Sequence, residues 1–162
     1  MLHRLWFNLR ARNRHGTHSP FAYAFLDQAL YSRKYKGMDT ERRLLCAALD
    51  HLEPERVGTA SPDGPMAQWL LSTGRVKAWG GPPYDFFLAE TPGDARSGPF
   101  RRHGRNADAC LYVGGIRKNR KARANWQALL AETGPCVLLE THAAALLCFR
   151  AAQAPQHFKI RI

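Results

Sequence analysis

Apolar residues recur at helical spacing through the first third of the chain and then in short runs punctuated by glycine and proline. Leu2, Leu5, Trp6 and Leu9 share one helical face flanked by Arg4 and Arg10. Such a face suits docking on the rest of the protein, with a foot on a membrane surface as the alternative. Ser19-Pro20 is a helix start, because a serine oxygen can accept from the first free N–H groups and proline suits the first helical position. The predicted helix carries Phe21, Tyr23, Phe25, Leu26 and Leu30 to about Tyr31. Gly37 breaks it, and Asp39 or Thr40 caps a second helix with Leu44, Leu45, Ala48, Leu49 and Leu52 at helical spacing. Residues 1–52 therefore read as an N-terminal helical arm.

The pattern changes near residue 54. Arg56-Val57-Gly58-Thr59 predicts a first strand, Val76-Lys77-Ala78-Trp79 a second and Phe86-Phe87-Leu88-Ala89 a third. A helix opens at Pro65, runs through Met66, Trp69, Leu70 and Leu71, and closes at Gly74. Residues 91–106, with Pro92, Gly93, Gly98, Pro99 and Gly104, read as a loop. Ala109 to Val113 predicts a strand with a sharp exit at Gly114-Gly115, followed by a basic helix from Arg117 to Glu132. Strands at 136–140, 145–149 and 157–162 complete the chain. Strands alternating with helices predict a mostly parallel sheet covered on both faces across residues 53–162. No helical pattern separates the last two strands, so an antiparallel hairpin is expected between them.

The chain has 162 residues, of which 45% are apolar, enough for about one domain with a packed core. No apolar run is long enough to span a bilayer. Twenty-four Lys and Arg stand against 13 acids, a formal net charge of +11. That excess favours anionic partners, whether nucleic acid, phosphorylated ligands or a membrane surface, and leaves self-association into a homo-oligomer open. The cysteines, Cys46, Cys110, Cys136 and Cys148, form no C-x-x-C pair and lie in apolar stretches, as buried thiols in a reducing compartment would. Met1 to Arg10 lacks the long apolar segment of a secretion signal, so a cytoplasmic location is expected.

His15-Gly16-Thr17-His18-Ser19-Pro20-Phe21 near the start and Gln156-His157-Phe158 near the end resemble the bookends of a bacterial group of class I S-adenosylmethionine-dependent methyltransferases. Leu111 to Ile116, Trp126 and Leu147 to Arg150 are similar to that group's C-terminal half. The resemblance covers roughly residues 8–52 and 108–162, and the middle of the chain is shortened. It implies a reduced Rossmann-like α/β sheet ending in an antiparallel hairpin behind a helical arm. It also implies S-adenosylmethionine as cofactor, with Gly58, Thr59, Asp63 and Gly64 lining it and Gly114 and Gly115 at the substrate mouth. Transfer of the methyl group to a nucleophile would then be an in-line displacement in which the protein positions and excludes water.

Three departures from the family pattern bear on that activity. The acid expected two residues before the first glycine is Arg56. The second strand ends Trp79-Gly80-Gly81, where an acid would hold the ribose, and the next acid is Asp85. Gly114-Gly115-Ile116 stands where paired acids precede an isoleucine. A hydrogen bond to a charged acceptor contributes roughly 1.5–3 kcal/mol, so losing two would weaken binding by about a hundredfold or more. Impaired or lost catalysis is thus the expected state of the scaffold.

The competing class is a non-catalytic basic module that binds nucleic acid or another anionic surface, or regulates a full-length homologue. Its residues are Arg101, Arg102, Arg105, Arg117, Lys118, Arg120, Lys121 and Arg123, with Asp108 the single acid between 101 and 123. The arm adds Arg10, Arg12, Arg14, Arg33, Lys34 and Lys36. No base-reading motif accompanies them. His15 and His18 lack the further ligands a metal requires, and for His157 a structural hydrogen bond outweighs proton transfer.

Overall fold

The computed structural model describes residues 19–102, 104–150 and 152–162. The apolar face Leu2–Leu9, the pair His15 and His18, and Arg10, Arg12 and Arg14 lie outside the described residues. Helix α1 (Pro20–Ala24) starts where the sequence places it, with the Ser19 side chain accepting from Ala22 N at 3.4 Å. It continues as a π-helical turn, Phe25–Leu30. Asp39 caps α2 (Thr40–Leu52) through a 2.9 Å bond from Arg42 N.

Then follow β1 (Val57–Thr59), α3 (Pro65–Ser72), β2 (Tyr84–Ala89), α4 (Pro92–Ser97), α5 (Pro99–Arg102) and β3 (Arg105–Val113). Helix α6 (Arg120–Glu132), β4 (Val137–Glu140), β5 (Ala145–Cys148) and β6 (Gln156–Lys159) complete the fold. The protein is a mixed α/β fold built on a six-stranded sheet in the order β1-β2-β3-β5-β4-β6. β1, β2 and β3 pair in parallel, β5 is antiparallel to both β3 and β4, and β6 pairs in parallel with β4.

Three expectations change. Val76-Lys77-Ala78-Trp79 forms no strand, because Arg75 N and Val76 N donate back to Leu70 O and the Arg75 guanidinium holds Asp50 at 2.8 Å. The segment is thereby tied to α2 and α3, and its link to β1 is the bond from Gly80 N to Val57 O. Residues 91–106 are not a loop throughout: Thr91 and Asp94 form a reciprocal capping box that opens α4 at Pro92. The hairpin joins β4 to β5 rather than the last two strands. The Thr141 N–H donates to Ala144 O at 2.8 Å, and Thr141 Oγ1 accepts from Ala144 N at 2.9 Å, closing a turn that needs neither Gly nor Pro. With both edges of β5 taken, β6 adds to the free edge of β4.

Alternation along the strands splits the core between two faces. Phe86, Leu88, Cys110, Tyr112, Leu139 and Leu146 pack against the arm and α3, notably Phe25, Leu26, Leu44, Leu45 and Leu70. Phe87, Leu111, Val113, Leu138 and Leu147 pack against Ala95, Phe100, Trp126 and Leu129. Each fully buried Leu contributes about 1.5–3 kcal/mol, and Leu44 and Leu45 of α2 are both fully buried in this core. No helix among the described residues is long and apolar enough to cross a membrane.

Candidate functional site

In an open α/β sheet, ligands bind where the parallel strands end, and helix N-termini facing that edge offer free N–H groups to anions. Here the edge is formed by the ends of β1, β2 and β3 and by the start of α3. Gly58, Thr59 and Gly64 lie at this edge, and other side chains of the chain fill the surroundings of the two glycines.

Glu90 follows β2 directly. Its Oε1 accepts from Met66 N at 2.8 Å and from Ala67 N at 2.9 Å, so its carboxylate caps the positive end of α3. The same carboxylate lies against Gly64, where an added Cβ would collide with it. Gly58 is closed in a different way. A Cβ there would collide with the Tyr84 ring and come within 2.9 Å of the Phe87 ring, which stacks edge-on with Tyr84 at 5.0 Å between centroids. Glycine is needed at 58 because rigid rings approach the backbone, whereas at 64 the carboxylate end of Glu90 occupies the space. Thr59 Oγ1 accepts from Ser61 N at 3.2 Å, within its own turn. Asp63 is exposed and takes no part in the edge. Arg56 N donates to Asp85 Oδ2 at 2.8 Å, and Asp85 also accepts from the Asn106 amide, so this acid clamps the starts of three strands.

Gly114 and Gly115 leave β3 at the same edge. Gly115 takes φ +58°, a backbone state that suits glycine, and its N–H donates to Glu41 Oε1 at 2.9 Å. Tyr112 Oη donates to Glu41 O at 3.1 Å, docking the first turn of α2 over the expected substrate mouth. Burial raises the Glu41 carboxyl above its ordinary value, against the opposing pull of the Gly115 N–H. Sequence reasoning missed Glu90 and Glu41. The position of Glu90 immediately after a predicted strand was the available signal for the first; the α2 register gave none for the second.

The basic run divides into two kinds of residue. Arg117 Nη2 pairs with Glu140, and Arg117 Nη1 donates to Thr141 O at 3.0 Å and to His142 O at 3.2 Å. Glu140 is buried, and its Oε2 accepts from His157 Nε2 at 2.6 Å, the structural bond expected of His157. Burial opposes ionisation of Glu140, but the His157 hydrogen bond and the Arg117 guanidinium together hold its carboxyl below the usual range. Arg105 lies 3.6 Å over the Phe149 ring. Arg101 and Arg102 belong to α5. Lys118, Arg120, Lys121 and Arg123 are exposed around the start of α6, whose first turn carries no acid.

The largest cavity described, about 640 Å³, lies away from Gly58 and Gly64. It opens between the start of α2 and the β4–β5 turn, lined by Met38, Glu41, Arg43, His142, Ile160 and Ile162 among others. Comparison of the chain with protein-family models, with curated proteins and with solved structures finds no match.

Proposed function

We propose that this chain is a class I methyltransferase-like protein that has given up cofactor binding and works as a basic module for an anionic partner. The run of parallel strands followed by the β4–β5 hairpin supports the family resemblance. The capping of α3 by Glu90 carries the loss of the cofactor site. S-adenosylmethionine would need the Gly58 backbone face and the free N–H groups of α3; the Tyr84 ring covers the first and Glu90 holds the second. The residues present do not fit the cofactor, and no methyl-transfer step follows from them.

The cations around the start of α6 favour nucleic acid over a membrane as the partner. Of the large apolar residues of α6, Trp126 and Leu129 are buried against the sheet and Leu130 is partly buried against the same cluster, so the helix offers no fully exposed one to insert into lipid. Lys118, Arg120, Lys121 and Arg123 can neutralise phosphates. If all four do so, affinity for duplex DNA falls by about a hundredfold between roughly 50 and 200 mM salt. Retention on immobilised nucleic acid across that range tests the reading. The variant with all four changed to Ser should lose both retention and salt dependence. Unaltered retention would remove the α6 start as the binding surface.

A further inference from the structure

Cys110 on β3 and Cys148 on β5 stand directly opposite each other in the antiparallel ladder. Phe149 N donates to Ala109 O at 2.9 Å, so 109 and 149 form a hydrogen-bonded pair. The next pair, 110 and 148, is then of the closer, non-hydrogen-bonded kind, with Cα atoms about 4.5 Å apart. That spacing lies inside the roughly 4.4–6.8 Å window a disulfide spans. Both side chains point to the arm-facing side of the sheet, and both are buried.

Cys110 also lines a cavity of about 260 Å³ at the end of α2, whose wall includes Glu53, Glu55, Asp85, Asp108 and Arg150. Four carboxylates around the opening repel anionic oxidants such as glutathione disulfide and admit a small neutral one. Arg150 brings a cation to this cavity, and its buried Nε–H has no hydrogen-bond partner among the described residues. An acceptor oxygen arriving in the cavity would satisfy it.

We propose that Cys110 and Cys148 form an oxidation site for hydrogen peroxide, closing reversibly to a cross-strand disulfide. The Cys110 sulfur, deprotonated on attack, takes one peroxide oxygen; the O–O bond breaks, and the departing hydroxide picks up the thiol proton as water. The Cys148 thiol then attacks the resulting sulfenic sulfur, the S–O bond breaks, and a second water leaves with the remaining thiol proton. Two thiols are oxidised by two electrons, and one peroxide is reduced to two waters. The order of the two steps follows from access: Cys110 lines the cavity, and Cys148 is not among its lining residues. This site is independent of the α6 surface and of the family resemblance.

The reduced full chain, treated with hydrogen peroxide, unfolded, alkylated and mapped by mass spectrometry, tests the proposal. Two thiols should disappear, with the peptides carrying Cys110 and Cys148 joined. In Cys148→Ser, Cys110 should stop at a sulfenic acid that dimedone traps; in Cys110→Ser, no thiol should be lost at the same dose. Four surviving thiols, or a link to Cys46 or Cys136, would overturn the assignment. The unmutated chain decides this even if a serine variant fails to fold. Glutathione disulfide should act more slowly than peroxide, and an equal rate would refute the role given to the acidic opening.

Discussion

The carboxyl edge of β1 to β3 and the start of α6 both invite an anion, yet they treat their polar groups in opposite ways. At the edge, the N–H groups of Met66 and Ala67 already have Glu90, and that of Gly115 already has Glu41. At α6, Lys118, Arg120, Lys121 and Arg123 are exposed and face no acid in the helix's first turn. A region whose donors are satisfied from within gains little from a ligand, because binding must first displace an internal bond. A region of unneutralised cations gains from any phosphate it meets. On the reading proposed above, the first region is structural and the second is the binding surface.

The sharpest way to break this contrast lies in Arg117, the cation of the basic run that the fold ties to a buried acid. Glu140→Ala leaves Arg117 without its buried partner and should cost about 3–5 kcal/mol in urea unfolding. The effect has a pH signature. The folded-state pKa of Glu140 lies below its unfolded value, so its contribution is complete above the unfolded value of about 4.3 and fades as pH falls through the folded one. Wild type and Glu140→Gln should therefore converge in stability below about pH 4; a constant gap would contradict the assignment.

Next in size, Gly58→Ala should cost about 1–3 kcal/mol by forcing a methyl into the Tyr84 ring. Trimming Tyr84 to Ala in the same chain should make the double variant less destabilised than the sum of the two changes. Strict additivity would mean that the ring does not close the glycine face. Glu90→Ala should cost about 1 kcal/mol, the usual loss when a helix start is uncapped, with Glu90→Gln milder because it keeps an acceptor. The smallest effect on stability belongs to α6: Lys118, Arg120, Lys121 and Arg123 changed singly to Ser should each stay within about 0.5 kcal/mol of wild type in thermal unfolding. A larger loss would show that these side chains support the fold.

Local signals were legible in the sequence. Ser19-Pro20, Asp39 and Pro65 mark helix starts through chemistry confined to a few neighbouring residues, and all three open helices. Apolar runs placed every observed strand to within a few residues. Pro92 and Pro99 read as breaks in the sequence, although proline also opens helices and the Thr91 and Asp94 spacing of a capping box stands beside the first. What stayed hidden was non-local. Val76 is held by the Leu70 carbonyl, and Arg75 by Asp50 from α2. The place of β6 beside β4 depends on both edges of β5 being occupied. The excess of cations was plain, but nothing local said that Arg117 would be tied to Glu140 or Arg105 stacked on Phe149. Glycines at 58 and 64 looked like room for a cofactor, and only the fold reveals Tyr84 and Glu90 in that room.

The most direct test of the closed edge is titration of the isotope-labelled full chain with S-adenosylmethionine, followed by the amide resonances of Gly58, Gly64, Met66 and Ala67. The account predicts that these signals stay in place up to millimolar ligand. Saturable shifts at those amides with micromolar affinity would show that the cradle still opens to the cofactor, and would contradict it.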